Sequence, residues 1–246
     1  MAGLAVGRLY ERDAELRMAA DLLSRAADGR GGALFYAGDA GLGKTALVKH
    51  VIGNAAGDFR LGQAAGDPAE TSLAFSFLGQ ATDALGCPVP LAEADTGRPS
   101  VRDVRSLRFH QVLRWLREVN EASEASEASE VGEPVLLVLD DLQWADSDSL
   151  AMLSFLCRRL DGLAVAVIGT LRAWPPSAYD VARRLWAAGR AGFAELAPLT
   201  DPAAERVVMA RVRGQASAAT ISRAVTLCAG NPLLLEQVSG LICAGN

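Results

Sequence analysis

The sequence predicts an α/β protein: a parallel five-stranded sheet with helices on both faces, followed by a small helical unit. Three observations lead there. Short apolar runs at 33–37, 59–65, 135–139, 163–169 and 193–196 alternate with helix-spaced segments, the pattern of buried strands joined by crossover helices. A glycine-rich turn at 38–45 sits directly between the first strand and a helix. After Pro198 the strand signals stop, and 201–214, 217–229 and 231–243 read as three consecutive helices. The expected division is therefore a core at 1–198 and a helical domain at 199–246.

The remaining elements follow from periodicity. Segment 12–27 sets Leu16, Ala19, Ala20, Leu22 and Leu23 among charges and ends at the glycine cluster 29–32, as an amphipathic helix does. Helical spacing resumes at 45–56, 73–85 and 101–120, the last two separated by a proline- and glycine-containing loop at 86–99. Residues 121–130 repeat Glu-Ala-Ser three times and add a Glu. Like charges three apart repel on a helix and bury nothing, so 121–133 reads as a solvated linker, with a helical extension that contacts a partner as the alternative. Helices are expected again at 147–160 and 179–188.

Composition removes whole classes of function. With 246 residues, 50% hydrophobic and 22% charged, the chain is neither collagen, coiled coil nor a disordered polymer. Its longest apolar runs, 134–139 and 162–169, fall far short of the roughly 20 residues that cross a bilayer. The start MAGLAVGRLYER lacks the apolar stretch of a cleavable signal. These features predict a soluble, cytoplasmic chain. Cys87, Cys157, Cys228 and Cys243 show neither C-x-x-C spacing nor a histidine cluster, so core packing is their expected role. The net charge of −5 argues against bulk nucleic-acid binding.

The sharpest signal is GDAGLGKT at 38–45, which satisfies G-x-x-x-x-G-K-[ST] in a chain whose only lysines are Lys44 and Lys49. Backbone N–H groups of Gly38, Ala40, Gly41, Leu42, Gly43, Lys44, Thr45 and Ala46, together with a helix N-terminus, can surround phosphate oxygens. Lys44 is expected to bridge the β- and γ-phosphates and Thr45 to ligate magnesium. A second acidic site follows from 135–139, five aliphatic residues ending in Asp140-Asp141 at the strand mouth where open α/β sheets bind ligands. Asp140 is assigned to magnesium through water, and Asp141 to orienting the attacking water. The two motifs together specify a nucleoside triphosphate site for ATP or ADP with Mg2+.

Other residues carry weaker signals. Asp146 ahead of Ser147-Asp148-Ser149 reads as an N-cap, and Trp144 as packing. Thr170 and Arg172 end the next strand at the same sheet edge; Arg172 either reads the γ-phosphate or makes a surface salt bridge. In Gly230-Asn231-Pro232, asparagine is a good N-cap and proline suits the first helical position. The arginine pairs 158–159 and 183–184 read as solvated helix faces.

These residues resemble the P-loop ATPase module of the large LuxR-type ATP-binding transcriptional regulators, within the signal-transduction ATPases with numerous domains. The telling pieces are LYERDAEL at 9–16, GDAGLGKT, LDDLQWAD at 139–146, GTLR at 169–172 and GNPLLLE at 230–236. The resemblance implies a doubly wound P-loop NTPase sheet with the strand carrying Arg172 between the phosphate-loop strand and the acidic strand. It implies that Leu9, Tyr10 and Arg12 lie on the adenine side, that Arg172 senses phosphate, that Pro232 packs on adenine, and that 199–246 forms a lid. Glu11-Arg12 stand where the family has Gly-Arg, with Gly7-Arg8 as the rival alignment. The family continues through helical repeats to a DNA-binding helix-turn-helix, and no DNA-reading element is visible up to Asn246.

The function expected is a regulatory switch that binds and slowly hydrolyses ATP, within or derived from a bacterial transcriptional regulator. The alternatives are a self-sufficient oligomeric AAA+-like ATPase or a truncated binding-only module. The expected partners are nucleotide and either further copies of the chain or related regulators, with no membrane.

Overall fold

The two faces of the central sheet can be assigned from alternation alone. In β1 (Gly32–Ala37), β3 (Val135–Asp140) and β4 (Val165–Leu171), Ala33, Phe35, Val135, Leu137, Val165 and Val167 bury into one cluster. Their neighbours Leu34, Tyr36, Leu136, Val138, Ala166 and Ile168 bury into another. A strand buried on both faces needs an element over each, and the chain supplies them. Helices α1 (Asp13–Ala27) and α2 (Lys44–Ala55) cover the second face through Ala19, Leu22, Leu47, Val48 and Val51. Helices α3 (Ser76–Ala84), α4 (Val101–Ala122), α5 (Ser147–Cys157) and α6 (Pro176–Ala187) cover the first.

With β2 (Arg60–Ala65) and β5 (Gly192–Glu195), the strand order is β2-β3-β4-β1-β5, and every pairing is parallel. The strand carrying Thr170 thus lies between the acidic strand and the phosphate-loop strand, as the resemblance implied. Three helices follow: α7 (Asp201–Val212), α8 (Ala218–Cys228) and α9 (Pro232–Cys243). They share a core of their own, built on Ala203, Ala204, Val208, Val225, Cys228 and Leu235. This computed structural model describes residues 9–89, 91, 101–122 and 133–244. The Glu-Ala-Ser expectation at 121–133 lies mostly outside them, as does the rival Gly7-Arg8 alignment; residues 121 and 122 finish α4. Among the described residues no helix is long and apolar enough to cross a membrane.

Several expected boundaries need correction. The strand expected at 163–169 runs to Leu171, because Thr170 and Leu171 are as fully buried as the residues before them and pair with Tyr36 and Ala37. The helix expected at 73–85 starts at Ser76, where Phe75 takes a left-handed φ of 59° that stops the helix extending backwards. The helix expected at 147–160 ends at Cys157, and the one expected at 179–188 starts earlier, with Pro176 in its first turn. Cys157 and Cys228 are core side chains as expected, whereas Cys243 is exposed.

Asp146 organises the edge of this fold more broadly than a cap. Its carboxylate, 3% exposed, accepts from the backbone N–H of Asp148 and Ser149 and from Ser149 Oγ. It also accepts from Phe75 and Phe77 N–H, while Ser149 Oγ accepts from Leu78 N–H. One side chain therefore caps α5 and satisfies the orphan donors at the start of α3. Asp146→Ala strands buried donors on both helices and should destabilise the protein by about 3–5 kcal/mol, read by urea denaturation. A loss under about 1 kcal/mol, the size of an ordinary cap, would show that the α3 contacts contribute nothing.

Candidate nucleotide site

The site is assembled at the C-terminal edge of β1, β3 and β4. The loop after β1 turns through Gly41 at φ 81° and Gly43 at φ 88°, left-handed conformations that favour glycine. Gly41 is also a close approach: a Cβ there would sit 2.5 Å from Asn231 Oδ1. The loop then delivers the N-terminus of α2, with Lys44 and Thr45 in its first turn.

Lys44 is 7% exposed, and its Nζ donates to the carbonyls of Gly38 at 2.6 Å and Asp39 at 2.9 Å. Burial pulls its pKa down and the charge of Arg172 adds to this, while Asp141, Asp140 and Asp39 oppose it. An anion in the loop would relieve both penalties.

Across the loop, Thr45 Oγ1 donates to Asp140 Oδ2 at 3.0 Å. The other oxygen of Asp140 accepts from Thr170 Oγ1, which itself accepts from Asp141 N–H at 2.9 Å. Asp140 is thus oriented from two sides, one oxygen fixed by β4 and the other facing Thr45. A hydroxyl beside a carboxylate offers the hard oxygen donors that suit Mg2+.

Asp141 takes a left-handed conformation at φ 55°, which Asp and Asn tolerate better than most residues. Gln143 Nε2 donates to Asp141 Oδ1 at 2.8 Å, and Gln143 Oε1 accepts from Arg172 N–H at 3.1 Å. Gln143 is 5% exposed and was not singled out from the sequence; a lone amide between Leu142 and Trp144 was the available signal. Trp144 is half-buried, with its Cβ packed against Gly66. Arg172 forms no ion pair among the described residues, and its Nε is buried without a hydrogen-bond partner. A buried unpaired N–H is costly, so a surface salt bridge is not what holds this side chain.

Two cavities meet here. One of about 300 Å³ is lined by Gly41, Lys44, Thr45, Asp141 and Arg172, all suited to phosphates. Another of about 160 Å³ is lined by Leu9, Tyr10, Leu42, Leu199 and Val207, suited to a flat base. Ala40 borders the first and Arg12 the second; Gly43, Ala46, Pro232 and Glu236 border both. Sequence reasoning assigned no role to Glu236.

The N-terminal segment is tied down by the residues flanking this second cavity. Arg12 Nη2 donates to the carbonyls of Leu42 at 3.2 Å and Ala197 at 2.7 Å, so its guanidinium braces the walls. Glu11 adopts φ 52°, a conformation that favours glycine, which fits the position where the resemblance has one. Its carboxylate accepts from Thr200 N–H and Oγ1, and these bonds hold its pKa below the ordinary value. A residue 189 positions away thereby holds Thr200, the residue that leads into α7.

The N-terminus of α9 closes the site from above. Asn231 Oδ1 accepts from Leu233 and Leu234 N–H, and its Nδ2 donates to Ala40 O at 2.9 Å. Leu233 N–H is also 3.2 Å from Gly41 O. Capping is therefore only half of what Asn231 does; the same side chain ties the last helix to the phosphate loop.

Comparison with known proteins bears on the fold and the family. No curated protein matches the chain significantly. Among solved structures it is similar to Cdc6p from Pyrobaculum aerophilum, with a TM-score of 0.61 and 15% identity over 97% of this chain and 62% of that one. It is similar to the Aeropyrum pernix ORC1 protein, solved in complex with DNA, with a TM-score of 0.59 and 18% identity over 97% and 60%. For the Aeropyrum pernix ORC2 protein, solved as ADPNP-ADP complexes, the TM-score is 0.52 at 14% identity over 100% and 71%. The chain thus spans about three fifths of the first two relatives. At these identities the likeness shows the fold, an α/β P-loop NTPase sheet. A family model for the AAA ATPase domain matches residues 8–168, more than half of the sequence. The chain belongs to the AAA ATPase domain family.

Proposed function

We propose that this chain is an ATP-binding regulatory module that binds ATP and ADP with magnesium and hydrolyses ATP slowly, as a conformational switch. The observation that carries this reading is the double contact from α9 to the phosphate loop, Asn231 Nδ2 to Ala40 O and Leu233 N–H to Gly41 O. A nucleotide that enters the loop meets residues of the last helix directly, so its phosphates bias where α7–α9 sit. In this reading 1–198 is the nucleotide-binding core and 199–246 the lid.

The geometry supports a role for each residue. Lys44 exchanges the carbonyls of Gly38 and Asp39 for β- and γ-phosphate oxygens. The loop N–H groups from Gly38 to Ala46 hold the phosphates, and Tyr10, Leu9 and Pro232 enclose the base. Thr45, with Asp140 through water, would hold magnesium, which supplies charge neutralisation at the phosphates. Asp141, steadied by Gln143, orients a water, and Arg172, which lines the same cavity, answers the γ-phosphate with its guanidinium. Gln143 ties the backbone of Arg172 to the Asp141 carboxylate, so the two residues are held in one frame.

The resemblance to LuxR-type regulators supports a place within, or pairing with, a transcriptional regulator in the cytoplasm. Calorimetric titration of the protein with ATP and ADP plus Mg2+, followed by single-turnover hydrolysis, tests the proposal. Binding of both, with turnover on the scale of minutes or slower and independent of protein concentration, is expected. No binding overturns it, and turnover that climbs with protein concentration replaces the switch by an oligomeric engine.

A further inference from the structure

The wall shared by the two cavities contains one ionisable side chain, Glu236. It stands one helical turn after Pro232 and on the same face of α9. Glu236 is exposed, and among the described residues it makes no hydrogen bond or ion pair. It is therefore not needed to hold the fold. A base in the smaller cavity and phosphates in the larger one are joined by the sugar, and the sugar must pass the shared border. Phosphate next to a carboxylate is repulsive, whereas a pair of hydroxyl donors is what a carboxylate accepts best.

We infer that Glu236 is a specificity residue that accepts the 2′- and 3′-hydroxyls of a ribonucleotide, so that the site selects ribose over deoxyribose. The proposal rests on the nucleotide reading above and deepens it. An acidic side chain answering ribose hydroxyls is a solution that other nucleotide folds reach by different elements. Here the acceptor comes from α9, so sugar recognition takes place only when that helix is docked on the loop.

The test is calorimetry with ADP, 2′-deoxy-ADP and 3′-deoxy-ADP on wild type, Glu236→Ala and Glu236→Gln. Wild type should bind ADP about tenfold more tightly than either deoxy analogue, the effect of one charge-assisted hydrogen bond. Glu236→Ala should bind all three alike, and more weakly than wild type binds either deoxy form, because each of those analogues still offers the carboxylate one hydroxyl. Glu236→Gln retains one acceptor oxygen and should discriminate to an intermediate degree. The inference is overturned if wild type binds the three within twofold, or if Glu236→Ala weakens all three equally. Failure of wild type to bind ADP at all would instead remove the nucleotide reading itself.

Discussion

Lys44→Ala should lower ATP affinity by about 100-fold or more, measured by calorimetry against wild type. Lys44 Nζ now rests on the carbonyls of Gly38 and Asp39, and two phosphate oxygens would replace them with charged partners. Each charge-assisted hydrogen bond contributes about 1.5–3 kcal/mol, so losing two corresponds to at least two decades of affinity. The fold should tolerate the change. Burial already disfavours the lysine charge, and alanine is a better helix former than lysine at the first turn of α2. The thermal midpoint should therefore stay level while binding disappears, which separates a lost contact from a lost fold. ATP affinity within threefold of wild type would show that Lys44 does not meet phosphate.

Much of the site was legible because its signals are local in sequence. GDAGLGKT places Lys44 and Thr45 on one loop, and the aliphatic run before Asp140 places that carboxylate at the end of a buried strand. The five strands were legible from apolar runs, but their order was not. Alternation gives the number of strands and their parallel sense, and only the resemblance put β4 between β1 and β3. Where the chain hides its contacts, they join residues far apart. Phe75 and Phe77 donate to a carboxylate about 70 residues on, and Glu11 holds Thr200, just ahead of the helix that starts at Asp201. No window of helix or strand periodicity reaches so far.

Gln143 illustrates a second kind of concealment. It was visible only as one polar residue in an apolar setting, and its meaning comes from two partners on separate segments, Asp141 and Arg172. The misplaced end of β4 had the same origin. Gly169 looks like a strand terminator, yet it is small because a Cβ would meet Leu142 and Phe35. The strand therefore continues past it, which is what carries Thr170 to Asp140. Gly169 answers a packing requirement inside the strand.

Asp141→Asn should leave ATP affinity within a few-fold of wild type and slow single-turnover hydrolysis by about 100-fold or more. Asparagine keeps what the structure asks of this position. It tolerates the left-handed backbone, its amide oxygen can still accept from Gln143, and the backbone N–H still reaches Thr170 Oγ1. What it removes is the carboxylate charge that draws a proton from, and aligns, an attacking water, an effect that typically contributes 10²–10⁴ in rate. Because Lys44, Thr45 and Asp140 are untouched, phosphate and magnesium contacts persist and the substituted protein should hold ATP rather than ADP. Unchanged turnover would assign water positioning to another group; lost binding would place Asp141 among the groups that hold the nucleotide. A protein arrested with ATP bound would also show whether α9 keeps its hold on Ala40 and Gly41 when the γ-phosphate stays in place. Hydrogen exchange at Leu233 and Leu234 N–H, slower in the ATP-bound variant than in its ADP complex, is the signature expected if hydrolysis releases the helix.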